Sequence, residues 1–286
     1  MRKPANRRVR EEVRRHKAAA RTATYDPEAP PEYSNLGTRL KLLLAVVVLV
    51  PVGLVTTQTF FELFTIETVG RGFWQTEEFW FFGLGFVAWL ICFWGLPRPL
   101  YLYVLGHELT HYAFVKLCGG KVEAWDAKSH GGYVYTDKSN TLISLSPYFV
   151  PFYTVLVGIF FALLSLFVDL DFKYTDLPLG LSFKWHWLFL GLVGLTWGFH
   201  LTFTVWMMTK DQPDLQSNGN YFSVLLIYLV NLVIICTLLV VASQNVTFAA
   251  FIGTWWENMG IVVDAVEAIC NAVAHLYSYL FGRNAG

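Results

Sequence analysis

The sequence predicts an all-α polytopic membrane protein of about six transmembrane helices, with a short β-hairpin after one of them and a C-terminal amphipathic helix. Three observations carry this prediction. Apolar residues make up 55% of the chain and charged residues only 15%, a balance typical of membrane proteins and unlike that of soluble domains. The apolar residues gather into uncharged runs of about 20, the length needed to cross a hydrocarbon core of roughly 30 Å. Trp185, Trp187 and Tyr221 stand at run ends, as an interfacial aromatic belt requires.

Residues 1–38 form a basic tail and a proline-rich linker. The first 21 residues hold nine Lys or Arg against Glu11 and Glu12. Residues 4–23 have the composition of a charged helix, and Asp26 to Asn35, with three prolines, reads as a linker. The charge is a topology signal that places the amino terminus on the cytoplasmic side. It lacks the aromatic residues and motifs of nucleic-acid binding. The first apolar run starts only near Leu40, too late for a secretory signal.

Residues 39–97 supply two spans, Leu42–Phe61 and Phe79–Pro97, joined by a connection rich in Glu62, Glu67, Glu77 and Glu78. Residues 98–243 form the membrane core. Pro97-Arg98-Pro99 breaks the helix, and a third run follows from Pro99 to Cys118. Thr141–Val168, Trp185–Thr209 and Tyr221–Ala242 are the fourth, fifth and sixth spans. Between the third and fourth, Lys121–Ala127 and Tyr133–Asp137 flank Ser129-His130-Gly131-Gly132, the pattern of a β-hairpin with a Gly-Gly turn. Its strand edge would suit an extended peptide paired through the main chain, although the same residues also make an ordinary structured loop.

Residues 244–286 form an amphipathic segment. Glu257, Asp264, Glu267, Asn271, His275 and Ser278 recur at helical spacing opposite Ile261, Val262, Ala265, Ile269, Val273 and Leu276. That pattern fits a helix lying on the membrane or docked on the bundle. Asn245-Val246-Thr247 matches a glycosylation sequon but falls on the wrong side of the predicted topology. Cys92, Cys118, Cys236 and Cys270 lack paired spacing. They read as core or lipid-facing thiols rather than a disulfide framework or a zinc knuckle.

The chemistry concentrates at residues 106–111, Gly-His-Glu-Leu-Thr-His, within the apolar run from Pro99 to Cys118. On a helix, His107 and His111 project from one face a turn apart, so both imidazoles can hold one metal ion. Glu108 lies beside them, placed to take a proton from an activated water. Ionisable groups are expensive within a bilayer, and those retained there are candidates for function.

A catalytic metal site needs a third protein ligand and an open position. The residues offer Asp211, Asp214, His200 and His130. Asp214 follows Pro213 just beyond the fifth span, where a broken helix can turn a carboxylate inward. Asp211 adjoins Lys210 and reads as a solvated ion pair, and His130 reads as a turn residue. Depth favours His200. At 1.5 Å per residue, His111 lies about 18 Å from Pro99 and His200 about 22 Å from Trp185, if the third and fifth spans run parallel.

With these residues the chain resembles the site-2 protease class of intramembrane zinc metalloproteases. The resemblance covers about Pro99 to Phe222: the His107-Glu108-Leu109-Thr110-His111 motif, the Gly119-Gly120 turn, the β-like segment and Gln212-Pro213-Asp214. Leu215 stands where the family has Gly after the Asp. The resemblance implies Zn²⁺ held by His107, His111 and Asp214, with Glu108 as the catalytic residue. The implied substrate is another membrane protein, cut in or near a transmembrane segment within the lipid bilayer. Two other classes fit the residues: a non-catalytic membrane scaffold or binding protein that retains the motif as a structural metal site or a polar-packing site, and a zinc-dependent hydrolase acting on lipid.

Overall fold

Without water to bond the backbone, long apolar runs satisfy their own N–H and C=O groups as helices. The computed structural model describes residues 36–70, 72–175, 178, 182–243 and 246–281. The predicted 4–23 helix, the linker at 26–35 and the sequon's Asn245 lie outside the described residues.

Helix α1 comprises Leu36–Leu44, a π-helical stretch Ala45–Leu49 and Val50–Gly70. The π stretch has a cause in the sequence. Pro51 has no N–H to return to the preceding turn, and the Val50 N–H reaches five residues back to the Ala45 carbonyl. As a span, α1 covers Leu36–Val69, 34 residues, well beyond the expected Leu42–Phe61. Glu62 and Glu67, expected in a connection, are helical instead. The helix carries Glu62 because its Oε2 accepts a hydrogen bond from Asn258 at 3.2 Å.

A short 3₁₀ turn, Phe73–Gln75, precedes α2, Glu77–Gly95. The Thr76 hydroxyl caps α2 by accepting from the Phe79 N–H at 3.2 Å, and Glu77 and Glu78 occupy the first turn. Helix α3, Leu100–Leu117, carries the histidine motif; it leads into strands β1, Val122–Lys128, and β2, Gly131–Thr136. The strands pair antiparallel with Lys128 opposite Gly131, so the turn is Ser129-His130 and the two glycines open β2. Gly131 has φ 138°, a conformation that residues with a Cβ rarely adopt.

The predicted fourth span is broken in two. Helix α4, Thr141–Phe149, and helix α5, Phe152–Leu164, meet at 70°. Pro151 sits at the bend, where it can neither donate to the turn before it nor leave Val150 helical. Helix α6, Trp185–Met208, is followed by the four-residue α7, Pro213–Gln216, then α8, Asn220–Ala242, and α9, Phe248–Phe281.

Helices α2 and α6 approach backbone to backbone. A Cβ added to Gly85 would overlap the Gly191 carbonyl, and one added to Gly194 would overlap the Phe82 carbonyl, the small-residue contact by which membrane helices associate. Trp89 donates its indole N–H to the Thr202 hydroxyl across this seam at 2.8 Å.

Among the described residues, five helices are long and apolar enough to cross a membrane: α1, α2, α6, α8 and α9, with the α4–α5 pair a sixth if the bent pair counts as one. The motif helix α3, expected as a span, is not among them, because His107, Glu108, His111 and Lys116 lower its hydropathy. The terminal segment, expected to be an amphipathic helix on the membrane or docked on the bundle, is one helix that is also long and apolar enough to qualify. It meets α1 through a polar ladder. Trp255 donates to the Thr56 hydroxyl at 2.9 Å, Gln58 to Asn258 at 2.9 Å, and Asn258 to the Thr59 hydroxyl at 3.0 Å.

Candidate metal centre

The motif helix brings two of the candidate ligands to one face by local geometry. His107 and His111 share a face of α3, and their ring centroids are 4.8 Å apart. Each ring is oriented through its other nitrogen. His111 Nδ1 lies 2.8 Å from the Ile143 carbonyl; a carbonyl can only accept, so Nδ1 carries the proton and Nε2 is left with a lone pair. His107 Nδ1 lies 3.2 Å from the Tyr103 hydroxyl one turn earlier, which again turns Nε2 toward the site.

The Ile143 carbonyl is free for this role because of the sequence four residues later. Pro147 lies inside α4 and has no N–H to close the turn back to Ile143. The orphaned carbonyl takes the His111 ring proton and also the Ser146 hydroxyl at 3.0 Å. Sequence reasoning missed this partner, although the legible signal was a proline at the fourth position after a helical residue.

The third group comes from outside the motif helix. Asp214 Oδ2 lies 3.4 Å from His107 Nε2 and 3.5 Å from His111 Nε2. Among the described residues, His107, His111 and Asp214 form a group able to hold a metal ion, their donor atoms all within 4.8 Å of one another. The two distances from Asp214 to the imidazoles are close to the ligand separation of about 3.3–3.4 Å that a tetrahedral ion with arms of about 2.0–2.1 Å imposes.

His200 does not join this group. It is 7% exposed, and its Nε2 faces the Asn231 side-chain oxygen at 3.2 Å. Asn231 is fixed in turn by donating to the Tyr148 and Ile227 carbonyls, each at 2.9 Å. The expectation that α3 and α6 run parallel also fails. Arg98, just before α3, lies over Trp206 near the end of α6, while Tyr103 stacks on Phe203, so the helices run in opposite directions. His200 thus reaches the depth of His107, and the two line a small shared cavity, but its ring is committed to Asn231. Asp211 is exposed, and His130 sits in the exposed hairpin turn.

Asp214 gains its position because the chain folds back after Met208. Pro213 starts α7, the first-turn position where a missing N–H costs nothing. Leu215 is 3% exposed and packs with Leu145, Tyr148, Phe149 and Ile227. Burial of that side chain turns the preceding carboxylate toward α3.

Glu108 completes the site. It is 7% exposed and lies under the hairpin, where Gly132 covers it. A Cβ added at Gly132 would overlap the Glu108 side chain, coming within 2.6 Å of Oε1. His107, His111, Asp214, Glu108 and residues Gly131–Val134 line one cavity of about 410 Å³, together with Met207, Gln212 and Pro213. The cavity thus adjoins both the candidate metal group and the Glu108 side chain. No family model, curated protein or solved structure matches the chain.

Proposed function

We propose that this chain is an intramembrane zinc metalloprotease, similar in plan to the site-2 protease class, that cleaves peptide bonds in or near transmembrane segments of other membrane proteins. The observation that carries the reading is the convergence of His107 Nε2, His111 Nε2 and Asp214 Oδ2, within 4.8 Å of one another, beside the buried Glu108. Two neutral imidazoles and one carboxylate are a donor set that suits Zn²⁺ and leave the ion at net charge +1.

Zinc held there supplies Lewis acidity to the attacking water and to the scissile carbonyl. The remaining steps belong to the chain. Glu108 accepts the proton of the attacking water and passes it to the departing amine. Tyr103 and the Ile143 carbonyl keep both rings presenting Nε2. Strand β2 lines the cavity, where an extended, locally unwound substrate segment can lie against it.

The test compares wild type with Glu108→Gln, both purified and reconstituted in lipid with a reporter carrying one transmembrane segment. Both proteins should bind zinc and only the wild type should cleave, with turnover lower in the variant by about 10²–10⁴-fold. Equal cleavage by both would end this mechanism. A wild type that binds no zinc would favour the scaffold reading.

A further inference from the structure

Asp214 stands on a helix of four residues, too short to hold itself in place. Its carboxylate is also the one ligand that local helix geometry does not position. The polar contacts behind it lead to a residue of the first span.

Asn218, 5% exposed, lies four residues after Asp214 and donates its side-chain N–H to the Asp214 backbone carbonyl at 3.2 Å. The other end of that amide, Oδ1, accepts two hydrogen bonds. One comes from the Thr141 hydroxyl at 2.7 Å, and the other from the Lys41 ammonium at 2.8 Å. The same ammonium lies 3.3 Å from the Thr141 hydroxyl and 5.7 Å from the centre of the Phe222 ring. Two donors on Oδ1 fix which way the amide faces, because a flipped amide would set its own N–H groups against them.

We propose that Lys41, acting through Asn218, is a positioning residue that holds the Asp214 carboxylate at the metal position. This rests on the reading of His107, His111 and Asp214 as a metal centre. The arrangement ties α1, α4 and α7 together at one amide. Thr141 begins the same helix whose Ile143 carbonyl orients His111, so one cluster supports two of the three ligands. Lys41 is a cation at the edge of an apolar span, where retaining a charge carries a cost. The charge-assisted bond to a buried acceptor gives it a function that solvation alone would not.

The experiment uses the full chain in lipid nanodiscs and two readouts, backbone amide exchange and zinc affinity. The amides of Leu215 to Gly219 are bonded within the turn in the native protein, so their exchange reports whether that turn is held. Lys41→Met should speed their exchange while leaving the hairpin amides at 122–136 unchanged. Zinc affinity should fall by about 10- to 100-fold, the usual cost of removing a group that supports a ligand. Asn218→Leu should reproduce both effects, and the double variant should be no worse than either single one. Lys41→Arg should restore protection, and Arg39→Met, which removes a charge from the same helical turn, should do neither. Unchanged exchange in Lys41→Met overturns the proposal, as does faster exchange with undiminished zinc affinity. A wild type that takes up no zinc ends the metal reading itself, and with it the positioning role. That result is separable because it appears before any variant is compared.

Discussion

The two sides of the metal position reach it by different routes. His107 and His111 are set by one helix: the spacing of four residues fixes their common face, and α3 would present them in almost any surroundings. Asp214 belongs to a turn of four residues after a span, and packing, hydrogen bonding and the reversal of the chain place it. A site assembled this way is complete only when the whole core is folded. Half of the centre is encoded locally, and the other half measures the integrity of the tertiary structure.

The largest expected effect strikes the tertiary half directly. Asp214→Asn removes the anion that offsets the ion's charge in a low-dielectric setting, and zinc affinity should fall by at least about 100-fold. Metal analysis of the purified variant checks this. Asp211→Asn and His200→Ala, measured in parallel, should retain the metal, and His200→Ala should lose stability because Asn231 forfeits a buried partner. If His200→Ala strips the metal while Asp214→Asn does not, the assignment of the third ligand is wrong.

A smaller and different effect is expected at the hairpin. Gly132→Ala adds a methyl group that overlaps the Glu108 side chain. Displacing a proton-transfer group by about 1 Å costs about 100-fold in rate, so turnover should fall while zinc content stays at the wild-type level. Loss of metal in Gly132→Ala would instead assign the hairpin to the ligand shell.

The smallest effect sharpens the local half. Pro147→Ala restores an N–H that can close the helical turn onto the Ile143 carbonyl, in competition with His111 Nδ1. Zinc affinity should fall by about 10-fold and α4 should become more helical, a pairing that circular dichroism and zinc titration detect together. Unchanged affinity would show that His111 needs no carbonyl partner to present its Nε2.

What the sequence made legible follows from the range of the forces involved. The runs that became α2, α6 and α8 were visible because membrane thickness imposes a length and the absence of water imposes helical bonding. The paired histidines and Glu108 were visible because helical spacing is local. The unity of the fourth span was misjudged at Val150-Pro151, where the proline was present in the sequence but the 70° bend is a matter of packing. The α1 boundary was misjudged because Glu62 looks like a solvated connection until Asn258 is seen to donate to it.

The third ligand marks the limit. Its residue type and the proline before it were in the sequence, and so was His200 as a rival. Counting residues along two helices favoured the rival, and His200 does lie at the depth of His107, but depth says nothing of where its ring is committed. Only the tertiary structure groups Asp214, and not His200, with the two histidines. It set α3 against the end of α6 through Arg98 and Trp206, committed the His200 ring to Asn231, and buried Leu215 so that the neighbouring carboxylate turned inward. The sequence by itself determined the helices and the two-histidine face, because hydrogen-bond periodicity and hydrophobic length act over a few residues. Bringing Asp214 within 3.5 Å of both histidines required contacts between residues about a hundred positions apart. No periodicity in the chain records such contacts, since they depend on which helix faces pack and in which direction the helices run.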